Sequence, residues 1–387
     1  MTESNVSPGR GSAIGPLRGV RVLDLTRMPP GAYCTVGLAD LGADVIRIES
    51  PRAAGRPSRV VGQSSLARGK RSVTLDLRNE RASEVLSRIA GSVDVLVEND
   101  PPGELERRGF GYPQAAEQHP RLIWCSITGF GQEGPYAAWP GHDLTYLAQS
   151  GLLGALSPID PEQPWHPSWM LAVPMGASFA MTGILAALRE RDATGRGCWI
   201  DVSLAEAASW ALGGFDAALS DQGVAVPIDP WRRIYACGDA KWVSVAAAEP
   251  RTWQRLCEGL GLPELVGELT SPDCDRAAVT QQLSDRFASR PAADWLAELG
   301  PQGAAVSPVN VGGDVVRDPH NQARGGTLEV DGVRVPANPI RMRDPSGARS
   351  ATASQPPALA GEDTDAVLAE AGYAADEIRS LRDAGIL

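Results

Sequence analysis

VRVLDLTRMPPGAYCTVGLADLGADVIRIE, residues 20–49, contains the alternation that decides the fold of this 387-residue chain. The apolar run 20–26 predicts a buried strand, the break at 28–31 ends it, and residues 32–42 have a helical pattern. The apolar run 44–49 then predicts a second strand. Because two strands joined through a helix run parallel, the stretch predicts one strand-helix-strand unit.

The same alternation continues to residue 131. Apolar runs predict further strands, and the runs between them predict helices. The clearest segments are SVTLDL (72–77), RASEVLSRIAGS (81–92), VDVLVEN (93–99) and RLIWCSITGFG (121–131). At least five strands with right-handed crossovers predict a doubly wound α/β domain, in which ligands bind beyond the carboxyl ends of the strands.

Two further segments argue against a dinucleotide cofactor and against a membrane span. The first strand-helix turn, 26–31, lacks the GxGxxG pattern of dinucleotide-binding proteins, which argues against such a cofactor. Residues 171–188 carry no charge and reach the lower length limit of a membrane span. Because proline and glycine interrupt this segment and it stands alone, we expect an interior helix and no membrane. The strand 197–204 follows it.

Composition excludes several classes of function. The chain has 36 basic and 47 acidic residues, and its net charge of −11 disfavours a nucleic-acid partner. The six cysteines form no CxxC pair and are expected to be reduced, and no two histidines have metal-ligand spacing, so no metal is expected. Residues 1–16 lack the layout of a signal peptide, which predicts a disordered tail on a cytoplasmic protein.

One short stretch reverses the charge of the chain. Residues 47–71 have a net charge of +6, with Glu49 as the one acid. The basic residues are Arg47, Arg52, Arg56, Arg59, Arg68, Lys70 and Arg71. Arginine side chains suit phosphate groups, and the stretch follows a strand at the ligand-binding edge of the predicted sheet. The alternatives are a phosphate site and a solvated loop.

Two side chains are candidates for proton transfer. His142 lies in PGHDLTY beside Asp143, after the glycine-rich loop 128–135, and a histidine there can act as base or acid. The alternative is a hydrogen-bonded structural histidine. Glu249 ends an apolar strand and precedes a helix, so it is either a second acid or base or a neighbour of the helix start.

The pattern changes after residue 223. Residues 234–248 predict a hairpin and residues 250–261 a helix, which together suggest a smaller α+β domain. A second hairpin is predicted at 327–336, turning on Asp-Gly, and two short helices are predicted between residue 364 and residue 385.

Many of these segments together resemble one family, the class III CoA-transferases or CaiB/BaiF family, which includes the α-methylacyl-CoA racemases. The resemblance runs from about residue 17 to the end of the chain. Its segments are 17–51, 68–79, 93–112, 120–136, GHDLTY at 141–146, 183–207, 235–250 and 364–387.

The resemblance implies an α/β fold in which a large Rossmann-like domain with a parallel sheet is built from both chain ends. A smaller α+β domain is inserted between them, and two chains interlock as a homodimer. The corresponding bounds are a tail at 1–16, a large domain at 17–222 and 326–387, and a small domain at 223–325. Acyl-CoA is the implied substrate and carries the coenzyme A, so no tightly bound cofactor is expected.

The resemblance also implies which residues contact coenzyme A. The arginines after the second strand and the strand near residue 74 would face its nucleotide, and the residues after the fourth strand would approach its pantetheine. The expected contacts are Arg47, Arg52, Arg68, Lys70, Arg71, Thr74, Leu75, Asp76, Leu77, Glu98, Asn99, Asp100, Gly141 and Tyr146.

In the racemase branch that GHDLTY resembles, His142 would be one of two bases that exchange the proton α to the thioester. Asp143 and Glu249 would assist it. The family also has an aspartate shortly before the glycine-rich start of the buried helix, as nucleophile in the transferases and as second base in the racemases. In this chain MLAVPMGAS places Val173 or Pro174 there, with no acid between Glu162 and Glu190.

Three functions therefore stay open. The first is α-proton abstraction by His142, as in a racemase, epimerase or isomerase, with the enolate stabilised by backbone N–H groups near 175–177. The second is a CoA-transferase that uses another carboxylate. The third is a non-catalytic acyl-CoA-binding homologue. His166 is a possible substitute for the second base, and Trp165, Trp169 and Met170 suggest an aromatic-lined acyl pocket.

Overall fold

The computed structural model describes residues 15–156, 167–214, 228–344, 347–349 and 355–387. It is an α/β structure, as the sequence predicts. The chain divides into two compact units, Met1–Val224 with Ala323–Leu387, and Ala225–Gln322. Most of the tail predicted at 1–16 lies outside the described residues.

The first unit begins with six strands and eight helices. The strands are β1 (Arg21–Asp24), β2 (Asp44–Glu49), β3 (Arg71–Thr74), β4 (Val95–Glu98), β5 (Ile123–Thr128) and β6 (Trp199–Ser203). The helices are α1 (Pro29–Asp40), α2 (Ala82–Ala90), α3 (Glu104–Arg107), α4 (Tyr112–Gln118), α5 (Asp143–Gln149), α6 (Leu152–Leu156), α7 (Ala172–Thr194) and α8 (Leu204–Trp210). Short 3-10 helices lie at Pro51–Ala53 and Ala211–Gly214.

These strands form one sheet in the order β3-β2-β1-β4-β5-β6, and every pair in it is parallel. The order is that of a doubly wound sheet, so the fold predicted from residues 20–131 is confirmed. The strand order reverses between β1 and β4, and ligands of such sheets bind at this switch point beyond the carboxyl ends.

Successive residues of each strand pack into two separate cores, because side chains alternate across a sheet. Val22 on β1 packs with α1, α7 and α8, whereas the next residue, Leu23, packs on the other face with α2 and the C-terminal helices. The helix α7 is long and apolar enough to cross a membrane by length and composition. Its buried face, which includes Ala180 and Ile184, packs into the first core.

The second unit contains a three-stranded antiparallel sheet and helices packed on it. Its elements are β7 (Arg232–Ala236), β8 (Trp242–Ala246), α9 (Pro250–Leu260), α10 (Arg276–Ala288), α11 (Ala292–Gln302), β9 (Val306–Pro308) and α12 (Asp314–Arg317), with a 3-10 helix at Pro263–Leu269. The order is β7-β8-β9. Its core is aromatic: Trp253, Trp295 and Phe287 are fully buried there.

After α13 (Pro319–Ala323) the chain returns to the first unit. It forms the hairpins β10 (Thr327–Val330) with β11 (Val333–Pro336) and β12 (Met342–Asp344) with β13 (Gly347–Arg349), then the helices α14 (Thr364–Glu370) and α15 (Ala375–Asp383). The hydroxyls of Thr74 on β3 and Thr364 at the start of α14 lie 3.3 Å apart, which joins the two ends of the chain.

Candidate active site

A cleft of about 340 Å³ opens at the carboxyl ends of β1, β2 and β3. Its lining residues are Leu25, Arg27, Arg47, Ile48, Glu49, Ser50, Ala53, Leu75, Asp76, Leu77, Arg78 and Arg108. Arg47 is 5% exposed, and its Nη1 has no hydrogen-bond partner in the part of the chain that the structure describes. The Arg47 guanidinium lies 3.5 Å from Glu49 Oε1, and its Nη2 donates to the Arg59 carbonyl at 3.4 Å. The remaining buried donor, Nη1, favours an anionic ligand, because an unsatisfied buried donor is costly. We call this the arginine cleft.

The residues after β3 contribute the opposite wall of the arginine cleft. Leu75, Asp76 and Leu77 line it, whereas Thr74 is turned towards Thr364. The Asp76 carboxylate accepts hydrogen bonds from Arg78 at 2.9 and 3.0 Å. These bonds hold the pKa of Asp76 below its usual value, and the charge of the exposed Arg52 acts in the same direction.

Three of the predicted nucleotide contacts require correction. Arg68, Lys70 and Arg71 are buried, and carboxylates of this chain occupy their charged ends. The Lys70 ammonium lies 2.9 Å from Asp24 Oδ2, Arg68 Nη2 lies 2.6 Å from Asp40, and Arg71 donates two bonds of 2.8 and 2.9 Å to Glu370. A ligand would have to displace a carboxylate at each of these ends, and the Lys70–Asp24 and Arg68–Asp40 pairs are buried, so the charge reversal in 47–71 is partly structural.

Glu98 is the last residue of β4, Asn99 and Asp100 follow it, and none of the three lines the arginine cleft. Glu98 lines a separate cavity of about 250 Å³, together with Tyr112, Trp124 and Trp199 among others. Burial raises the pKa of Glu98 to about 7, although its Oε2 accepts the Asp100 N–H at 2.7 Å. Asn99 Oδ1 accepts the Arg27 N–H at 2.9 Å, and Asp100 is ion-paired with the Arg27 side chain.

His142 is the N-cap residue of α5 and is exposed. Its backbone is held on both sides. The His142 N–H donates to Thr145 Oγ1 at 3.1 Å, and this hydroxyl donates to the His142 carbonyl at 2.7 Å. The buried Tyr146 donates its hydroxyl to the Gly141 carbonyl at 2.6 Å. A Cβ on Gly141 would lie 2.6 Å from the Tyr146 ring, so this packing requires glycine.

Asp143, which the sequence suggested as an assistant of His142, contacts the start of α7 in the structure. Its carboxylate accepts two backbone N–H groups at the start of α7, from Leu171 at 2.9 Å and from Val173 at 2.8 Å. A carboxylate at a helix N-terminus satisfies donors that the helix leaves open and interacts favourably with the helix dipole. Asp143 is therefore a positioning residue, which fixes α7 against the His142 loop.

No residue at the start of α7 has a carboxylate of its own. Val173 is buried in the core, and Pro174 follows it. The expected enolate donors also need correction, because the Met175 N–H bonds the Leu171 carbonyl at 3.3 Å and residues 176–177 lie inside the helix. There each N–H bonds the carbonyl four residues earlier and is not directed at a ligand.

Glu249 lies in the second unit as the N-cap residue of α9. It is exposed, and its side chain makes no capping hydrogen bond. His166 and Trp165, which the sequence suggested for the second base and the acyl pocket, lie outside the described residues. Trp169 is exposed and Met170 is half-buried against the core.

Sequence reasoning missed three arginines of the cleft, Arg27, Arg78 and Arg108. Arg27 follows β1 and Arg78 follows β3, so the rule that ligands bind beyond carboxyl strand ends would have identified both. Arg108 follows the short helix α3 and has no comparable local signal. Among the described residues, no group of three or more His, Cys, Asp or Glu is arranged to hold a metal ion.

The chain thus combines a doubly wound sheet, an arginine cleft beyond the carboxyl ends of β1, β2 and β3, and an exposed histidine beyond β5. The chain belongs to CoA-transferase family III, whose model matches residues 17–364. This confirms the resemblance seen in the sequence.

The chain is similar to enzymes of two activities. It is 32% identical over 379 residues to the α-methylacyl-CoA racemase of Mus musculus, covering 94% of this chain and 96% of the relative. It is 30% identical over 414 residues to the succinyl-CoA:glutarate CoA-transferase of the same organism, covering 96% and 90%.

Solved structures of the family have the same fold. A CaiB/BaiF family protein from Brucella suis superposes with a TM-score of 0.77 at 29% identity, covering 92% of this chain and 99% of that one. The protein Rv3272 from Mycobacterium tuberculosis superposes with a TM-score of 0.79 at 28% identity, with the same coverage.

Proposed function

We propose that this protein removes the α-proton of an acyl-CoA thioester, as a 2-methylacyl-CoA racemase, epimerase or isomerase does. One observation carries the proposal. The chain keeps an exposed His142, whose backbone is fixed by Thr145 and, through Gly141, by Tyr146, but it has Val173 and Pro174 where the family's carboxylate is expected. A base is therefore present without the nucleophile of a transferase.

In the proposed step a neutral imidazole nitrogen of His142 accepts the proton from the α-carbon. The electron pair of the broken C–H bond forms a carbon–carbon double bond, and the thioester carbonyl oxygen takes the negative charge of an enolate. The imidazolium then returns a proton to carbon, and the C–S bond stays intact throughout. Histidine suits both directions because its ordinary pKa lies near neutrality.

The arginine cleft would hold the nucleotide of coenzyme A. Arg47 supplies a buried Nη1 donor that has no hydrogen-bond partner among the described residues, and Arg27, Arg78 and Arg108 line the same cleft. Coenzyme A enters as part of the substrate, with no separate cofactor. The proposal includes a cytoplasmic homodimer with interlocked chains and with no nucleic-acid or membrane partner.

The alternative is CoA transfer between carboxylic acids, which the similarity to CoA-transferases supports. That reaction forms an acyl anhydride on a protein carboxylate and then a thioester of that carboxylate with coenzyme A. Neither valine nor proline can form them. A transferase would therefore need a relocated carboxylate such as the exposed Glu249, and a non-catalytic homologue would bind acyl-CoA without either reaction.

The test is exchange of the α-proton. The protein is incubated with 2-methylacyl-CoA thioesters in D₂O without a carboxylic acid acceptor, and deuterium uptake is followed by mass spectrometry. We expect exchange in the wild type, loss of at least a hundredfold in His142→Gln, and no loss in the control His320→Gln, which changes an exposed histidine of α13. Undiminished exchange in His142→Gln, or CoA transfer to a free acid without exchange, would contradict the proposal.

A further inference from the structure

Four aromatic rings form a connected row, three on the loop between β5 and α5 and the fourth, Tyr146, on α5. Tyr146 contacts Phe130 edge-to-face at 5.2 Å between ring centroids, and Phe130 contacts Tyr136 edge-to-face at 5.8 Å. Tyr136 and Trp139 then lie 4.2 Å apart with their planes tilted by 32°. We call this row the aromatic ladder.

Exposure increases along the aromatic ladder. Tyr146 is 8% exposed and Phe130 is half-buried, whereas Tyr136 is 37% and Trp139 59% exposed. The inner two rings pack with the core, whereas the outer two side chains are exposed to solvent. Paired exposed aromatic rings are typical of binding surfaces, because large amphipathic rings contribute much contact area at a low cost in conformational entropy.

The inner end of the aromatic ladder is rigid and adjoins the catalytic loop. Tyr146 donates its hydroxyl to the Gly141 carbonyl at 2.6 Å, one residue before His142. A Cβ on Gly129 would lie 2.3 Å from the Tyr146 ring, so the ring is tightly enclosed. The outer rings are therefore held in a defined position relative to the backbone of His142.

The outer rings are within reach of an acyl group at His142. Trp139 precedes His142 by three residues, which places their Cα atoms at most about 11 Å apart. A general base must lie within hydrogen-bonding distance of the proton that it removes, so the α-carbon of the substrate would lie at the imidazole. The substituents of that carbon then extend over a few ångströms to either side.

The stretch of chain that carries the outer rings has no charged side chain. Residues 134–141, GPYAAWPG, contain no ionisable group other than the Tyr136 hydroxyl. A carboxylate or ammonium on the acyl chain would find no partner on this stretch, whereas a flat apolar group can stack on the exposed rings.

We propose that Tyr136 and Trp139 bind the acyl group of the substrate by stacking, so that the protein prefers acyl-CoA thioesters with an aromatic ring close to the α-carbon. This rests on the proposed function for the position of the α-carbon at His142. It adds a substrate class and two specificity-determining residues to that function.

Binding of two thioesters tests the proposal without depending on turnover. Dissociation constants of phenylacetyl-CoA and propionyl-CoA are measured by calorimetry for the wild type, Trp139→Ala, Trp139→Phe and the control Trp210→Ala. The control removes a tryptophan that is also exposed, at 74%, and also contacts another ring, Phe179. We expect Trp139→Ala to weaken phenylacetyl-CoA binding about five- to tenfold, Trp139→Phe to recover most of it, and propionyl-CoA binding to change less than twofold.

The outcomes separate the two proposals. Equal affinity of the wild type and Trp139→Ala for phenylacetyl-CoA would overturn the aromatic preference, as would an equal loss for both thioesters. A change of oligomeric state in Trp139→Ala, seen by sedimentation, would also overturn it, because the ring would then belong to a subunit interface. Selective loss of phenylacetyl-CoA binding in a protein that exchanges no α-proton would support the stacking site and contradict the proposed reaction.

Discussion

The carboxylate of Asp143 accepts the backbone N–H of Val173 at 2.8 Å, across 30 residues of chain. Asp143 belongs to the GHD motif, and Val173 is one of the two positions, with Pro174, at which the sequence predicts the family's aspartate. Because Asp143 also accepts the Leu171 N–H at 2.9 Å, both of its oxygens hold the start of α7.

Replacing Asp143 with asparagine should loosen this helix start. The amide keeps one acceptor oxygen but directs N–H donors at a backbone donor, so we expect the free energy of unfolding to fall by about 1–3 kcal/mol. Urea denaturation measures the change, and hydrogen exchange should show lost protection at the Leu171 and Val173 amides. The matched control is Asp376→Asn, an exposed residue in the first turn of α15. Equal stability of the two variants would contradict the positioning role.

Of the arginines in the arginine cleft, we expect Arg47 to contribute most to the affinity for coenzyme A. Arg47 is buried, and its Nη1 has no hydrogen-bond partner among the described residues, so a phosphate can bind this nitrogen while Glu49 stays 3.5 Å from Nε. We expect Arg47→Gln to weaken CoA binding about ten- to a hundredfold and to reduce its salt dependence. Arg59→Gln is the control, because Arg59 is exposed and pairs with Asp331.

Arg108→Gln provides a second test of the arginine cleft in case Arg47→Gln folds poorly. Arg108 lines the same cleft but is partly exposed and paired with Glu104. A smaller loss of CoA affinity than in Arg47→Gln is expected. Calorimetric titration with CoA that shows both Arg47→Gln and Arg108→Gln equal to the wild type would place the nucleotide elsewhere.

Glu98 predicts a pH dependence of stability. Burial raises its pKa from 4.5 to about 7 in the folded protein, so the folded state binds a proton more tightly than the unfolded state. The resulting stabilisation, at most about 3 kcal/mol, is fully present below about pH 4.5 and is lost as pH rises through about 7.

Glu98→Gln removes this titration. The stability of the wild type relative to Glu98→Gln should therefore decrease between about pH 5 and 8, as measured by urea denaturation. The control Glu80→Gln changes an exposed residue before α2 and should leave the pH dependence of the wild type intact. Parallel curves for the wild type and Glu98→Gln would show that Glu98 is charged in the folded protein.

Features that depend on neighbouring residues could be predicted from the sequence, whereas contacts between residues far apart in the chain could not. The alternation in residues 20–131 correctly predicted the parallel sheet, because strand and helix periodicity is a local property. The destinations of charged side chains were not predictable in that way. Lys70 is paired with Asp24, 46 residues away in the sequence, and Arg71 is paired with Glu370, 299 residues away. No local sequence pattern predicts such partners.

At the candidate site, too, positions along the chain could be predicted, whereas contacts between elements could not. His142 was placed correctly on a loop after β5, because strand ends can be read from the sequence. The sequence could not show that Asp143 caps α7, since that bond depends on how two helices pack. It also gave no signal that Tyr136 and Trp139 form one exposed pair connected to Tyr146.

With a single catalytic base, we expect exchange of the α-proton to occur with retention of configuration. If His142 is the one proton carrier, the proton is removed and returned on the same face of the enolate. Deuterium should then enter one enantiomer of a 2-methylacyl-CoA with retention of configuration, and exchange should be faster than inversion by at least tenfold. Chiral chromatography with mass spectrometry measures both rates in D₂O.

Val173→Asp tests the missing second base directly. The new carboxylate would lie at a buried position beside Asp143, where desolvation and like charge raise the pKa of a carboxyl and strengthen it as a base. We expect inversion to approach the rate of exchange in this variant and to stay slow in Val173→Asn, which has the same shape without the base. The buried charge should also lower the free energy of unfolding by about 2–4 kcal/mol. Inversion as fast as exchange in the wild type would instead show that another residue already serves as the second base.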